Sequence, residues 1–166
     1  MRKNQQRRSN CPINCALETF GDTWSLLIVR DMVYFGKKTY GEFLESEEGI
    51  ATNILASRLA QLEQKGILVK RPHSADRRKE DYVLTDKGLD LIPVLLDLAC
   101  WGAQYDPQTG VPPDWIATVN ADKEKLTRLI RETVRCGGSV FAGPDSVVCK
   151  LAETQDEDKV VSRSTN

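Results

Sequence analysis

Residues 52–85, TNILASRLAQLEQKGILVKRPHSADRRKEDYVLT, set a periodic run, a glycine stop and two short β-prone runs in direct succession. Leu55, Leu59 and Leu62 recur at intervals of four and three. Side chains so spaced share one stripe of a helix, which predicts a helix from about Thr52 to Lys65 with its leucines inward and Asn53, Ser57 and Gln64 on the opposite turns. Gly66 stops it. Ile67-Leu68-Val69 and Asp81-Tyr82-Val83-Leu84 then read as the strands of a small antiparallel hairpin whose long tip is the polar stretch Arg71 to Glu80.

Working upstream, Cys11 stands at a cap position and Pro12 at the first position of a short helix to about Phe20, where a missing N–H costs nothing. Gly21-Asp22 breaks that helix, and Asp22 or Thr23 caps a second one from Trp24 to about Phe35. Its apolar residues Trp24, Leu27, Ile28, Val29, Met32 and Val33 carry helical spacing. Gly36 ends it. Thr39 caps a brief third helix from Tyr40 to about Ser46, with Phe43 and Leu44 inward, and Glu47 to Gly49 form a turn.

Downstream, Thr85 caps a helix predicted from about Lys87 to Tyr105 that is apolar nearly all round and that Pro93 is expected to bend. A domain of this size does not surround such a helix alone, so Leu91, Leu95, Leu98 and Trp101 are assigned to the interface of a homodimer. Gln108 to Pro113 is linker-like. One further helix, about Trp115 to Arg135, shows the stripe Leu126, Leu129, Ile130 and stops at Cys136-Gly137-Gly138. A β-like stretch follows over Ser139 to Lys150. The expected organisation is a basic flexible arm over 1–10, a DNA-binding and dimerisation domain over 11–106, an accessory extension with one helix over 107–152, and a disordered polar tail over 153–166. The fold class is mainly α with one small β-hairpin, an α+β winged helix-turn-helix.

Composition narrows the function classes. The 166 residues are 40% hydrophobic and 28% charged, with no apolar run near the roughly 20 residues that cross a bilayer, so a cytoplasmic protein without membrane contact is expected. The basic start MRKNQQRRSN is followed by no apolar signal core. Five cysteines, irregularly spaced and with no CxxC pair, argue for reduced thiols over a disulfide framework. With His73 the only histidine, there is little material for a zinc site or a histidine-based catalytic constellation. No phosphate-loop or dinucleotide glycine pattern occurs, and neither an enzyme nor a cofactor is expected.

A net charge of −1 does not announce nucleic-acid binding, so local clustering must decide. The order helix, helix, short helix, turn, periodic helix, hairpin suits a recognition helix laid in the major groove of double-stranded DNA and a hairpin reaching the flanking phosphates. Thr52, Asn53 and Ser57 offer short hydrogen-bonding side chains there, and Ala56 and Ala60 allow close approach to base edges. Arg58, nearer the leucine stripe, serves either a phosphate or an internal acid. Lys38, Thr39 and Tyr40, which open the bracing helix, are assigned to the DNA contact as well. Arg77, Arg78 and Lys79 form a cationic tip, with Lys70 and Arg71 at its base and Arg2, Lys3, Arg7 and Arg8 in the arm. The competing reading is a winged helix used for protein–protein contact, which has no need of that tip.

From Cys11 to about Tyr105 the sequence resembles the HxlR-type winged helix family. The resemblance is carried by Cys11-Pro12, the run Gly21-Asp22-Thr23-Trp24-Ser25-Leu26-Leu27-Ile28, Arg30-Asp31, Phe43, Gly49-Ile50, Leu55-Ala56-Ser57-Arg58-Leu59, Leu62-Glu63, Gly66, and Tyr82-x-Leu84-Thr85-x-x-Gly88. It implies a dimeric bacterial repressor or activator on a pseudo-palindromic operator. Ala51 stands where the family has a capping serine, so the cap either moves to Thr52 or is lost, at about 1 kcal/mol. The wing Ala75-Asp76-Arg77-Arg78 is closer to MarR-type regulators, and the extension past Asp106 lies outside the resemblance.

Cys11 is the redox-sensing candidate. A thiol at a helix N-terminus meets the partial positive charge of the aligned peptides, and thiolate is the oxidisable form. The resemblance implies thiol sensing at this position, and the bland alternative is a packed thiol that never reacts. No small-molecule effector is indicated.

Overall fold

The computed structural model describes residues 8–73, 76 and 79–154. Helix α1 (Pro12–Phe20) is followed by α2 (Ser25–Phe35), α3 (Tyr40–Leu44), α4 (Thr52–Gln64), strands β1 (Leu68–Pro72) and β2 (Glu80–Leu84), α5 (Asp86–Leu89), α6 (Ile92–Tyr105), α7 (Pro113–Ala121) and α8 (Lys123–Arg135). The mainly helical winged-helix class expected from the sequence is what forms. Asp22 starts α2: its carboxylate accepts the amides of Trp24 and Ser25 and the Ser25 hydroxyl, satisfying donors that a helix start leaves open. Gly36 ends α2 at a φ of 69°, a left-handed conformation that side chains resist. Helix α3 stops at Leu44, two residues earlier than predicted.

The hairpin is longer than the two apolar runs suggested. Leu68 pairs with Leu84 and the ladder continues through Arg71 with Asp81 to Pro72 with Glu80; proline is tolerated because this sheet has only edges. Past the ladder, the His73 amide donates to the Lys79 carbonyl at 3.0 Å, and the His73 ring lies 2.7 Å from Asp81 Oδ1.

Three expectations fail. The helix predicted over 87–105 is two helices, because Pro93 lies in the first turn of α6, where a proline belongs, and does not bend a continuous rod. The single helix expected over 115–135 is also two, since Asp122 leaves helical geometry at φ −157°, ψ 81° and caps α8 by accepting the Lys125 amide at 2.9 Å. The β-like stretch is no strand. Residues 147–154 are helical, and the Val140 and Phe141 amides donate to the carbonyls of Val33 and Tyr34 at 3.0 and 2.9 Å. The segment thus satisfies carbonyls that the end of α2 cannot bond within the helix. The expected tail begins inside that helical segment, and its residues 155–166 lie outside the described residues.

One continuous apolar core joins these parts. Val29 and Val33 of α2, Leu55, Leu59 and Leu62 of α4, Leu68 of β1 and Leu96 of α6 are fully buried. Trp115 and Val119 of α7 and Leu126 and Ile130 of α8 belong to the same cluster, and Phe141 meets Tyr34 and Trp115 edge-on at 5.5 and 5.0 Å. Arg131 and Arg135 of α8 bond Asp90 at the end of α5 and Asp86 at its start. The extension therefore covers part of the apolar surface assigned from sequence to a second subunit. Leu91 and Leu95 are buried within the chain, whereas Leu98 and Trp101 are 49% and 65% exposed.

Candidate nucleic-acid interface

Helices α3 and α4 are set by contacts between short polar groups. Thr39 and Glu42 form a reciprocal capping box: the Glu42 amide donates to Thr39 Oγ1 at 3.4 Å, and Glu42 Oε2 accepts the Thr39 and Lys38 amides, each at 2.7 Å. Burial opposes ionisation of Glu42, but those two amides, with the Thr39 hydroxyl and the Lys38 charge, hold the carboxyl below its ordinary value. The Tyr40 hydroxyl donates to the Thr52 carbonyl at 2.7 Å, so the start of α3 holds the first turn of α4. That turn has no side-chain cap, since Ala51 occupies the cap position.

Behind the helix-turn-helix lies a buried carboxylate that the sequence reading did not single out for this role. Asp31 is 2% exposed. It accepts Arg30 Nε at 2.9 Å, Lys37 Nζ at 3.1 Å and the Ser46 hydroxyl. Arg30 also forks onto Glu48, with Nη1 to Oε1 at 2.5 Å and Nη2 to Oε2 at 3.0 Å. The network joins α2, the loop before α3 and the turn before α4. The fork holds the Glu48 carboxyl down at about 2.

With the two helices so fixed, Thr52, Asn53, Ala56, Ser57 and Ala60 are all exposed along α4, opposite the buried leucines. Arg58 is turned inward. Its Nη1 donates to Gln61 at 2.6 Å and its Nε lies 3.4 Å from Asp22 Oδ1, an internal acid at the start of α2. Burial works against ionising Asp22, yet the Ser25 hydroxyl, the Trp24 and Ser25 amides and the Arg58 charge lower its pKa. Thr39 and Tyr40 are engaged in holding α3 and α4, and Lys38 is exposed. Lys79 is exposed at the hairpin tip, while Arg77 and Arg78 lie outside the described residues, as do Arg2, Lys3 and Arg7 of the arm. Cys11 is exposed at the start of α1, its amide 3.3 Å from Ser9 Oγ. Cys15 and Cys100 are half-buried, and all five cysteines are free thiols. Among the described residues no helix is long and apolar enough to cross a membrane.

A short bracing helix, a periodic helix with a polar outer face, and a two-stranded wing define a winged helix-turn-helix transcriptional regulator. The chain belongs to the HxlR-like helix-turn-helix family, whose model matches residues 19–109. It is similar to an HTH-type transcriptional regulator of Mycobacterium tuberculosis, Rv3095, with 34% identity over 127 residues, 76% of this chain and 78% of that one. A match of that length reaches into α8 wherever it begins, so likeness to this relative runs past the family core. Among solved structures, PA1607, described as a transcription-factor candidate, superposes with a TM-score of 0.58 at 39% identity over 64% of this chain and 74% of its own. The redox regulator HypR in its oxidized form superposes at 0.52 with 29% identity over 58% of this chain and 98% of its own.

Proposed function

We propose that this chain binds a pseudo-palindromic operator in double-stranded DNA as a homodimer, reading bases with α4 and gripping phosphates with the wing. The observation that carries this reading is the outer face of α4, where Thr52, Asn53, Ala56, Ser57 and Ala60 are exposed together on a helix that Tyr40 pins at its first turn. Short polar and methyl side chains on a rigid helix meet the donor and acceptor pattern of the major groove. Arg77, Arg78 and Lys79 supply the charge that phosphates attract. Exposed Leu98 and Trp101 on α6, with Ile13 and Leu17 on α1, support a subunit contact, and Leu91 and Leu95 back it from within. Two-fold symmetry then puts half-sites about 34–36 Å apart. The exposed Cys11 at the start of α1 supports an oxidation switch, in keeping with likeness to the redox regulator HypR.

Operator affinity measured by fluorescence anisotropy across salt concentration tests the reading. Affinity should fall steeply from low to physiological ionic strength. R77A should weaken every duplex about equally, while N53A and S57A should shift preference at particular base pairs by roughly 1–3 kcal/mol. A flat salt response would overturn DNA binding in favour of protein contact, and unchanged preference in N53A and S57A would reject the reading face. For the switch, C11S should abolish the response of operator binding to diamide; an unchanged response removes Cys11 from it.

A further inference from the structure

Arg30, Lys37 and Arg58 around the helix-turn-helix and Lys123, Arg131 and Arg135 in the extension each lie against a carboxylate. Among the described residues, Lys38 and Lys150 belong to the cations that do not, and what sets these two apart is that both line one cleft of about 460 Å³ between the end of α2, the end of α8 and the segment after it. Lys38 Nζ points into this space, 3.9 Å from where a Cβ on Gly137 would lie. Lys150 Nζ bonds Thr133 Oγ1 at 3.0 Å. Gly36, Gly137, Gly138 and Gly143 leave the floor free of side chains, and Phe35 forms a wall.

We propose that this cleft binds a small dianion, of dicarboxylate or phosphate type, through Lys38 and Lys150. Its volume falls in the range of small-ligand sites. The ends of α2 and α8 present partial negative charge, and Asp145 stands at the rim, so a monovalent ion gains little there and a ligand must engage both ammonium groups. The placement also suits regulation. Lys38 belongs to the helix-turn-helix: its amide bonds Glu42 and its carbonyl accepts the Tyr82 amide of the wing. Lys150 belongs to the extension, on a segment whose Val147 and Val148 amides hold the carbonyls of Ser139 and Val140. A ligand held by both lysines ties the extension to the start of α3 and to the wing, so its occupancy changes operator affinity. That last consequence rests on the DNA-binding reading; the binding itself does not.

Calorimetric titration of the full chain without DNA tests the site, using succinate for the dicarboxylate arm and inorganic phosphate for the other, each against sodium chloride at matched ionic strength. One of the two should saturate at one per chain, which fixes the class. K38Q and K150Q should each weaken it roughly ten-fold or more, as losing a charge-assisted hydrogen bond does. D145N should tighten it, and K123Q, whose lysine is paired with Asp97, should leave it unchanged. If neither anion saturates beyond chloride, or if binding survives both K38Q and K150Q, the two lysines merely balance helix ends and the proposal fails. Saturable binding by a chain that ignores all duplexes would instead keep the site and reject the operator reading.

Discussion

The amide of Tyr82 donates to the carbonyl of Lys38 at 2.7 Å, tying the central residue of β2 to the residue just before the cap of α3. The hairpin has only two strands, and a lone hairpin is marginal in water. This bond, with Leu68, Tyr82 and Leu84 buried in the core, anchors the wing to the body that presents α4. The Tyr82 amide should therefore exchange with solvent as slowly as amides of the core, although it lies on the side of β2 facing away from β1. Hydrogen exchange followed by NMR reads this directly. Exchange at the rate of an exposed strand edge would mean that the wing swings independently.

Much of this arrangement follows from local pattern. The leucine stripe of α4 predicted both the buried face and, by opposition, the exposed Asn53 and Ser57, because burial on one side of a helix leaves the other side wet. Where local pattern left a role open or misled, a distant partner decided. Arg58, for which a phosphate or an internal acid stood open, lies 3.4 Å from Asp22 at the start of α2, and no spacing within α4 records which residue that acid is. The surroundings of the Lys38 ammonium include Gly137, which is far along the chain. Val140 and Val147 have β-like apolar character, yet their segment is claimed by unsatisfied carbonyls at the end of α2. Two misses had a local signal. Pro93 suits a first turn as well as a bend, and Asp122 three residues before Lys125 has the spacing of a helix cap.

Acid should expose the Arg30–Glu48 fork. The fork lowers the Glu48 carboxyl from 4.5 to about 2 in the folded chain. A carboxyl depressed on folding contributes stability above its unfolded value, and that contribution is lost as pH falls through the folded one. Denaturant midpoints should therefore decline between about pH 4.5 and 2, and E48Q should be less stable near neutrality with a flatter decline across that window. Parallel wild-type and E48Q curves would show that the fork adds nothing.

The contact between α5 and the start of β1 leaves no room for a methyl group. A Cβ at Gly88 would lie 2.2 Å from the Ile67 carbonyl oxygen and 2.9 Å from Leu84 Cδ2. The oxygen cannot simply retreat, because it accepts the Thr85 amide at 3.0 Å, and the Thr85 hydroxyl, which donates to the neighbouring Gly66 carbonyl at 2.6 Å, caps α5 by accepting the Gly88 amide. G88A should thus cost about 3 kcal/mol, the upper end of overpacking, and lower Tm by roughly 6–12 °C. Gly41 in α3 supplies the contrast, since nothing lies within 4 Å of a Cβ there. G41A should be neutral or stabilising by up to about 1 kcal/mol, as alanine is the better helix former. Thermal unfolding of both variants separates steric exclusion from helix propensity. Equal shifts in the two would mean that α5 does not press against Ile67, and the junction between the wing and the C-terminal helices would have to be redrawn.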